Sequence, residues 1–480
     1  MANRYWVAST TSNWNNTSNW STTSGGSGGA SVPGSSDDVI FDSNGSGSCN
    51  VDSNVDVLSF NFASYAGTFS ASTYTFAVAG DMSASGTTAI IDLGSSNWTV
   101  GGNYNMRNIS GSSTEGTSTL RMTSTTLVGW YWKPSGGNFY SITLAPNAQV
   151  SQGRNLYITG SFSLESGATW AAGVYRPLIR ANASLTLGPN SSITTTTGYL
   201  ELRPDGTGTR TGNATASVGS FKTISGAGDP QTPWTIPVAT YVGDFVFRQN
   251  DSTYGGIWRF EGDTVIEGNI STAMSKSTNE TIDTATNNVN LTLKGDVDIT
   301  PSIGSITWSA GSGTITLSNT SAQSINFNAQ SIEDIIIDKS AGSVTLTSNL
   351  TTDSLTLTDG TVDISGYDLT TTGNFTQGVA TIVQDSNGSG LITVGGDFRI
   401  NGSNDSPTIW NDADLNISGS ALATNITVSG SNASSGTYVT ASRNSIDNGD
   451  NVGWTFRNAY SNIYKKLTLK SNSKLTIKGN

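Results

Sequence analysis

The chain has 480 residues and a net charge of −12, yet only 35% of it is hydrophobic and 12% charged, both low for a globular enzyme. It has no His and one Cys, which removes the commonest general base and metal ligand near neutral pH and excludes an internal disulfide. The bulk is Ser, Thr, Asn and 55 Gly, residues that favour turns and strands over helices, while 12 Trp, 15 Tyr and 15 Phe set in alternation argue against a disordered chain.

The start, MANRYW, has no basic stretch followed by an apolar run, and no later segment approaches the ~20 apolar residues of a membrane span. That start predicts release by lysis, as for virion proteins, and no membrane insertion. Residues 1–54 form the first region, where Trp6, Trp14 and Trp20 precede a Gly/Ser-rich stretch and VPGSSDDVIFD. The tryptophans read either as the packing of a terminal cap or as a docking or assembly surface for a capsid or tail partner. Cys49 reads as a small buried residue.

Residues 55–456 carry a recurring pattern, apolar-x-apolar-x-Gly-(Asp/Asn/Ser)-apolar. It appears as FAVAGDM, WTVGGNY, LYITGSF, TVIEGNI, LTLKGDV, LTTTGNF, ITVGGDF and LNISGSA. Alternation points Leu or Ile inward; Gly, tolerant of positive φ, followed by a polar residue that bonds its own backbone, then turns the chain. Neighbouring copies stand 22, 27, 23 and 23 residues apart, the length of one solenoid rung. No helix-length crossover is present, which disfavours βαβ folds. The expected architecture is an all-β solenoid wound as a right-handed parallel β-helix; a string of β-sandwich modules would repeat nearer ~100 residues.

Within this body, Trp130 and Trp132 of GWYWKP fall on the same side of a strand, a surface for glycan stacking or for lateral contact between protomers; Trp234 and Trp258 are further aromatic candidates. Glu261, Asp263 and Glu267 in FEGDTVIEG are the best local group of acids for a glycosidase or lyase, with Asp412 and Asp414 next. Gly262 interrupts the first group, and solvated carboxylates account for both. DSNGSG, at 42–47 and again at 385–390, and IDNGDN at 446–451 have the oxygen-rich spacing of calcium loops. They lack the full EF-hand pattern, so Asx turns without metal are the preferred reading, and no cofactor is expected. Residues 457–480 read as a basic hairpin or arm: Arg457, Lys465, Lys466, Lys470, Lys474 and Lys478 stand with no acid, leaving the remainder at 17 basic against 35 acidic residues. Lys465, Lys466 and Lys470 either guard an edge or assemble onto an acidic neighbour. An acidic body argues against nucleic acid as a partner.

The opening NRYWV...NWNNTSNWSTTSGGSGGASVPGSSDDVIFD, the closing NSIDNGDNVGWTF and the middle from GSGTITLSNTSAQSINF resemble β-strand-repeat proteins of tailed bacteriophages and bacterial cell surfaces. The resemblance implies a non-catalytic virion structural protein, a surface decoration, fibre or appendage, with other virion proteins as partners and possible contact with a host surface glycan. It also implies a homo-oligomer, a trimer as in phage fibres and spikes. A bacterial cell-surface adhesin and a tail-spike-like polysaccharide depolymerase are the alternatives.

Overall fold

The structure is a computed structural model that describes residues 2–131, 139–180, 183–202, 210–225, 233–249, 255–403 and 408–457. It is an all-β parallel solenoid of about 17 turns. Each coil lays short strands on successive faces, and each strand pairs in parallel with its equivalent one coil on. The chain divides into two compact units, residues 1–318 with 323–335, and residues 319–322 with 336–480.

In the first unit, Asp37–Phe41, Ser59–Ala63, Met82–Ser85 and Tyr104–Asn105 form one parallel ladder. Thr75–Val78, Asn97–Val100, Thr119–Met122, Ser141–Leu144 and Ser161–Leu164 form another. A third, from Ser12–Asn13 to Ser113–Thr114, ends there; a new one opens at Leu156–Ile158 and continues through Pro177–Ile179, Leu200–Leu202 and Phe221–Ser225. Because side chains alternate along a strand, alternate residues enter the core and like sits over like. Phe76, Trp98, Leu120, Ile142 and Phe162 make one inward column, with the Phe76 and Trp98 rings stacked at 3.8 Å. In the second unit, Leu350, Leu369, Ile392 and Leu415 stack in the same way.

Two devices hold the corners. The first is a glycine column. None of the eight repeat glycines adopts positive φ, which corrects the conformational reason that sequence reasoning gave for them; close approach is what demands glycine. A Cβ at Gly396 would stand 2.7 Å from the carbonyl carbon of Gly373, and one at Gly102 2.6 Å from that of Gly80. Gly396 N–H donates to Gly373 O at 2.8 Å, and Gly102 N–H to Gly80 O at 2.9 Å.

The second device is a ladder of the polar residues that follow those glycines. Asp244 accepts from Asn269 N–H, Asn269 from Asp296 N–H at 2.9 Å, and Asp296 from Ser324 N–H at 2.8 Å. Asn374 likewise accepts from Asp397 N–H, and Asp397 from Ser420 N–H. Each side chain thus answers a backbone donor in the next coil that would otherwise lack a partner. Coil lengths vary, from 18 residues between Asp414 and Asn432 to 28 between Asp296 and Ser324, and the loops absorb the difference.

Gly396→Ala is expected to destabilise the protein by about 1–3 kcal/mol through overpacking, measured by chemical denaturation. Gly34→Ala, where an added Cβ meets nothing within 4 Å, is expected to change stability by less than about 0.5 kcal/mol.

Candidate functional site

The three N-terminal tryptophans close the first coil. Ala2–Trp6 pairs in parallel with Asp37–Phe41 and antiparallel with Trp20–Ser21, so this segment continues the solenoid. Trp6, Trp14 and Trp20 are all fully buried. The Trp20 ring lies edge-on to Trp6 and Trp14, at 5.2 and 4.7 Å, and Trp14 stacks on Phe60. Both polar ends that could be stranded are satisfied: Trp6 Nε1 donates to Gly47 O and Trp20 Nε1 to Trp14 O, each at 2.8 Å. The rings are consumed in packing, as the cap reading required, and present no face to a partner; a docking surface formed by them is therefore corrected.

Trp130 is also turned inward and buried, with its ring 5.7 Å from that of Trp170. Its strand, Val128–Tyr131, places Trp130 and Val128 in the core and leaves Tyr131 on the outside. A glycan or lateral contact through Trp130 is corrected on the same ground. Trp132 lies outside the described residues, as do Lys465, Lys466 and Lys470. Trp258 is fully buried, whereas Trp234 is half-buried beside it.

The acids do not converge. Asp263 and Glu267 flank the strand Thr264–Ile266 at opposite ends, and each engages the next coil. Asp263 accepts from Asn290 N–H at 2.8 Å, and Glu267 pairs with Lys294 at 2.6 Å. Glu261 is separate; desolvation raises its pKa, with Arg259 opposing. Asp414 accepts from Asn432 N–H at 2.8 Å, while Asp412 sits on a left-handed turn with φ of 56°.

The DSNGSG and IDNGDN loops are built as Asx turns. Asp42 accepts from Asn44 N–H, Asp447 from Gly449 N–H, and Asp385 from the N–H groups of Gly366, Asn387 and Gly390. Among the described residues no group of three or more His, Cys, Asp or Glu is arranged to hold a metal ion, and no helix is long and apolar enough to cross a membrane. Cys49 is buried, and desolvation first, then the nearby Asp52 charge, pushes its thiol well above the ordinary value.

Sequence reasoning missed the buried ionisable groups. Glu333 accepts from Trp308 Nε1 at 2.8 Å, from Gly311 N–H at 3.2 Å and from the Thr284 hydroxyl. Glu201 is fully buried against Arg176, at 2.8 Å. Neither stands in a recognisable motif, because the partners come from other coils. Arg121 and Glu165 form a two-pronged ion pair at 2.6 and 2.7 Å across a separation of 44 residues; such a contact is visible only once the coils are in register. No family model, curated protein or solved structure matches the chain, so the class rests on the fold itself, a parallel β-solenoid.

Trp20→Ala is expected to cost about 3–5 kcal/mol, as for a large aromatic removed from a packed core, with loss of near-ultraviolet circular dichroism from the N-terminal coil. At the corner ladder, hydrogen bonds from Arg399 and Ser420 lower the Asp397 pKa to about 2. A depressed folded-state value favours the fold above the unfolded carboxylate pKa, and the benefit is lost as pH falls through about 2. Nuclear magnetic resonance titration should place the Asp397 midpoint near 2, and Arg399→Gln should move it up toward 3.8.

Proposed function

We propose that the chain is a non-catalytic structural protein, a virion surface decoration, fibre or appendage that assembles as a homotrimer and projects toward the host. The observation that carries this reading is the corner construction, in which the glycine column and the Asp/Asn/Ser ladder bind each coil to the next. That is the economy of a scaffold: hydrogen-bonding capacity is spent on joining coils, and the acids singled out in the sequence are either engaged in it or isolated from one another. The sequence resemblance to β-strand-repeat proteins of phages and bacterial surfaces supplies the setting.

Immunogold electron microscopy with antibodies to the purified chain is the test, together with native mass spectrometry. Label on particle surfaces and a trimeric mass are the expected results. Label confined to the bacterial envelope would replace the virion reading with the adhesin one. Cleavage of host polysaccharide by the purified protein would overturn the non-catalytic reading.

A further inference from the structure

The charge of the chain reverses along its length. Residues 107–222 hold nine basic and four acidic residues, whereas the rest holds 14 basic and 31 acidic. This positive stretch contains all three cation–π pairs found among the described residues. Arg107 lies over Tyr131 at 5.4 Å, Arg180 over Tyr157 at 5.5 Å, and Lys222 over Tyr199 at 3.8 Å.

The coil register gathers these pairs onto one corner and its adjoining face. Tyr157, Leu178, Glu201 and Lys222 occupy equivalent outward positions in four successive coils. Tyr199 stands just before the third of these strands and Arg180 just after the second. Tyr131 lies over the backbone at Gly153, three residues before the first strand of the ladder, Leu156–Ile158.

The face is also built to hold its shape. Leu178 and Glu201 point outward from the solenoid and yet are buried, so the side chains above them form a second packed layer outside the main core. Glu201 anchors Arg176 at 2.8 Å, and the Arg176 guanidinium lies close enough to the Tyr199 and Tyr157 side chains to interact with both. The two rings thus stand beside an anchored guanidinium, and each carries a cation at its face. Arg107 and Arg180 are exposed and Lys222 is half-buried. Among the described residues no carboxylate pairs with any of the three.

We infer that this face binds an acidic polysaccharide, one bearing carboxylates at intervals along a polyhydroxylated chain. Tyrosine rings and hydroxyls suit sugar faces and hydroxyl groups, and the cations suit the carboxylates. Spacing selects this class over nucleic acid. Tyr157 and Tyr199 are two coils apart, ~10 Å at the ~4.8 Å spacing of paired strands, so their cations are sparse, whereas duplex DNA presents one charge per ~1.7 Å. The strongly acidic remainder of the chain would repel such a dense polyanion.

The inference takes its biological setting from the surface-protein reading, but its test uses purified protein, so the two can fail separately. Binding of the full chain to polygalacturonate and to hyaluronan is measured by biolayer interferometry, with dextran and a short duplex DNA as comparisons. Expected is retention of at least one acidic glycan, weakened by added salt, and no retention of dextran or DNA. The double variant Arg180→Gln, Lys222→Gln should weaken glycan binding by about tenfold or more, as loss of two charge contacts predicts, with an unchanged circular dichroism spectrum. Arg107→Gln, at the separate third pair, should weaken it on its own, and Lys294→Gln, which lies away from this face, should not. Failure of both acidic glycans to bind, equal retention of dextran, tighter binding of DNA, or wild-type affinity in the folded double variant and in Arg107→Gln would each overturn the inference.

Discussion

Strands paired in parallel lie ~4.8 Å apart, and at that distance the corner of each coil has little room for a side chain. Gly373, Gly396 and Gly419 succeed one another because a Cβ on one would meet the backbone of the last. The same closeness brings the residue after each glycine within reach of the next coil, so that Asn374 accepts from Asp397 N–H and Asp397 from Ser420 N–H. Glycine followed by Asp, Asn or Ser is thus one solution to two demands, steric at the first position and hydrogen-bonding at the second.

This explains how a chain so poor in aliphatics keeps a defined core. Inward positions form continuous columns in which Phe76, Trp98 and Leu120, or Leu350, Leu369 and Ile392, bury one another. Outward positions need only answer the backbone and one another, which Ser, Thr, Asn and Asp do at short range. In the interior, Glu333 is satisfied by an indole, an amide and a hydroxyl. The N-terminal end is closed by Trp6, Trp14 and Trp20. At the other, the last described strands, Ile446–Asp447 and Trp454–Arg457, pair on one side only among the described residues.

The solenoid was legible because its repeat is local: seven residues carry two alternating core positions, the glycine and the polar acceptor. The reason for the glycine was not, since a preference for positive φ and a need for close approach leave the same letter in a sequence. Facing was legible within a strand but not its sign. Alternation placed Trp130 opposite Tyr131, yet only the packed structure turned Trp130 inward and left Tyr131 beneath Arg107. The cation–π face escaped detection for a related reason. Its members are joined by register across coils of unequal length, 21 residues from Tyr157 to Leu178 and 23 from Leu178 to Glu201, and no fixed period in the letters brings them together.

The corner ladder refers each coil only to its immediate predecessor, and every link has the same form whatever the length of the intervening loops. Duplicating or deleting one whole coil in the gene would leave the remaining links intact, provided the terminal tryptophan plug were spared. A coil array of this kind can change in increments of ~4.8 Å without redesign, so unequal recombination between neighbouring repeats is a ready route to a different number of coils.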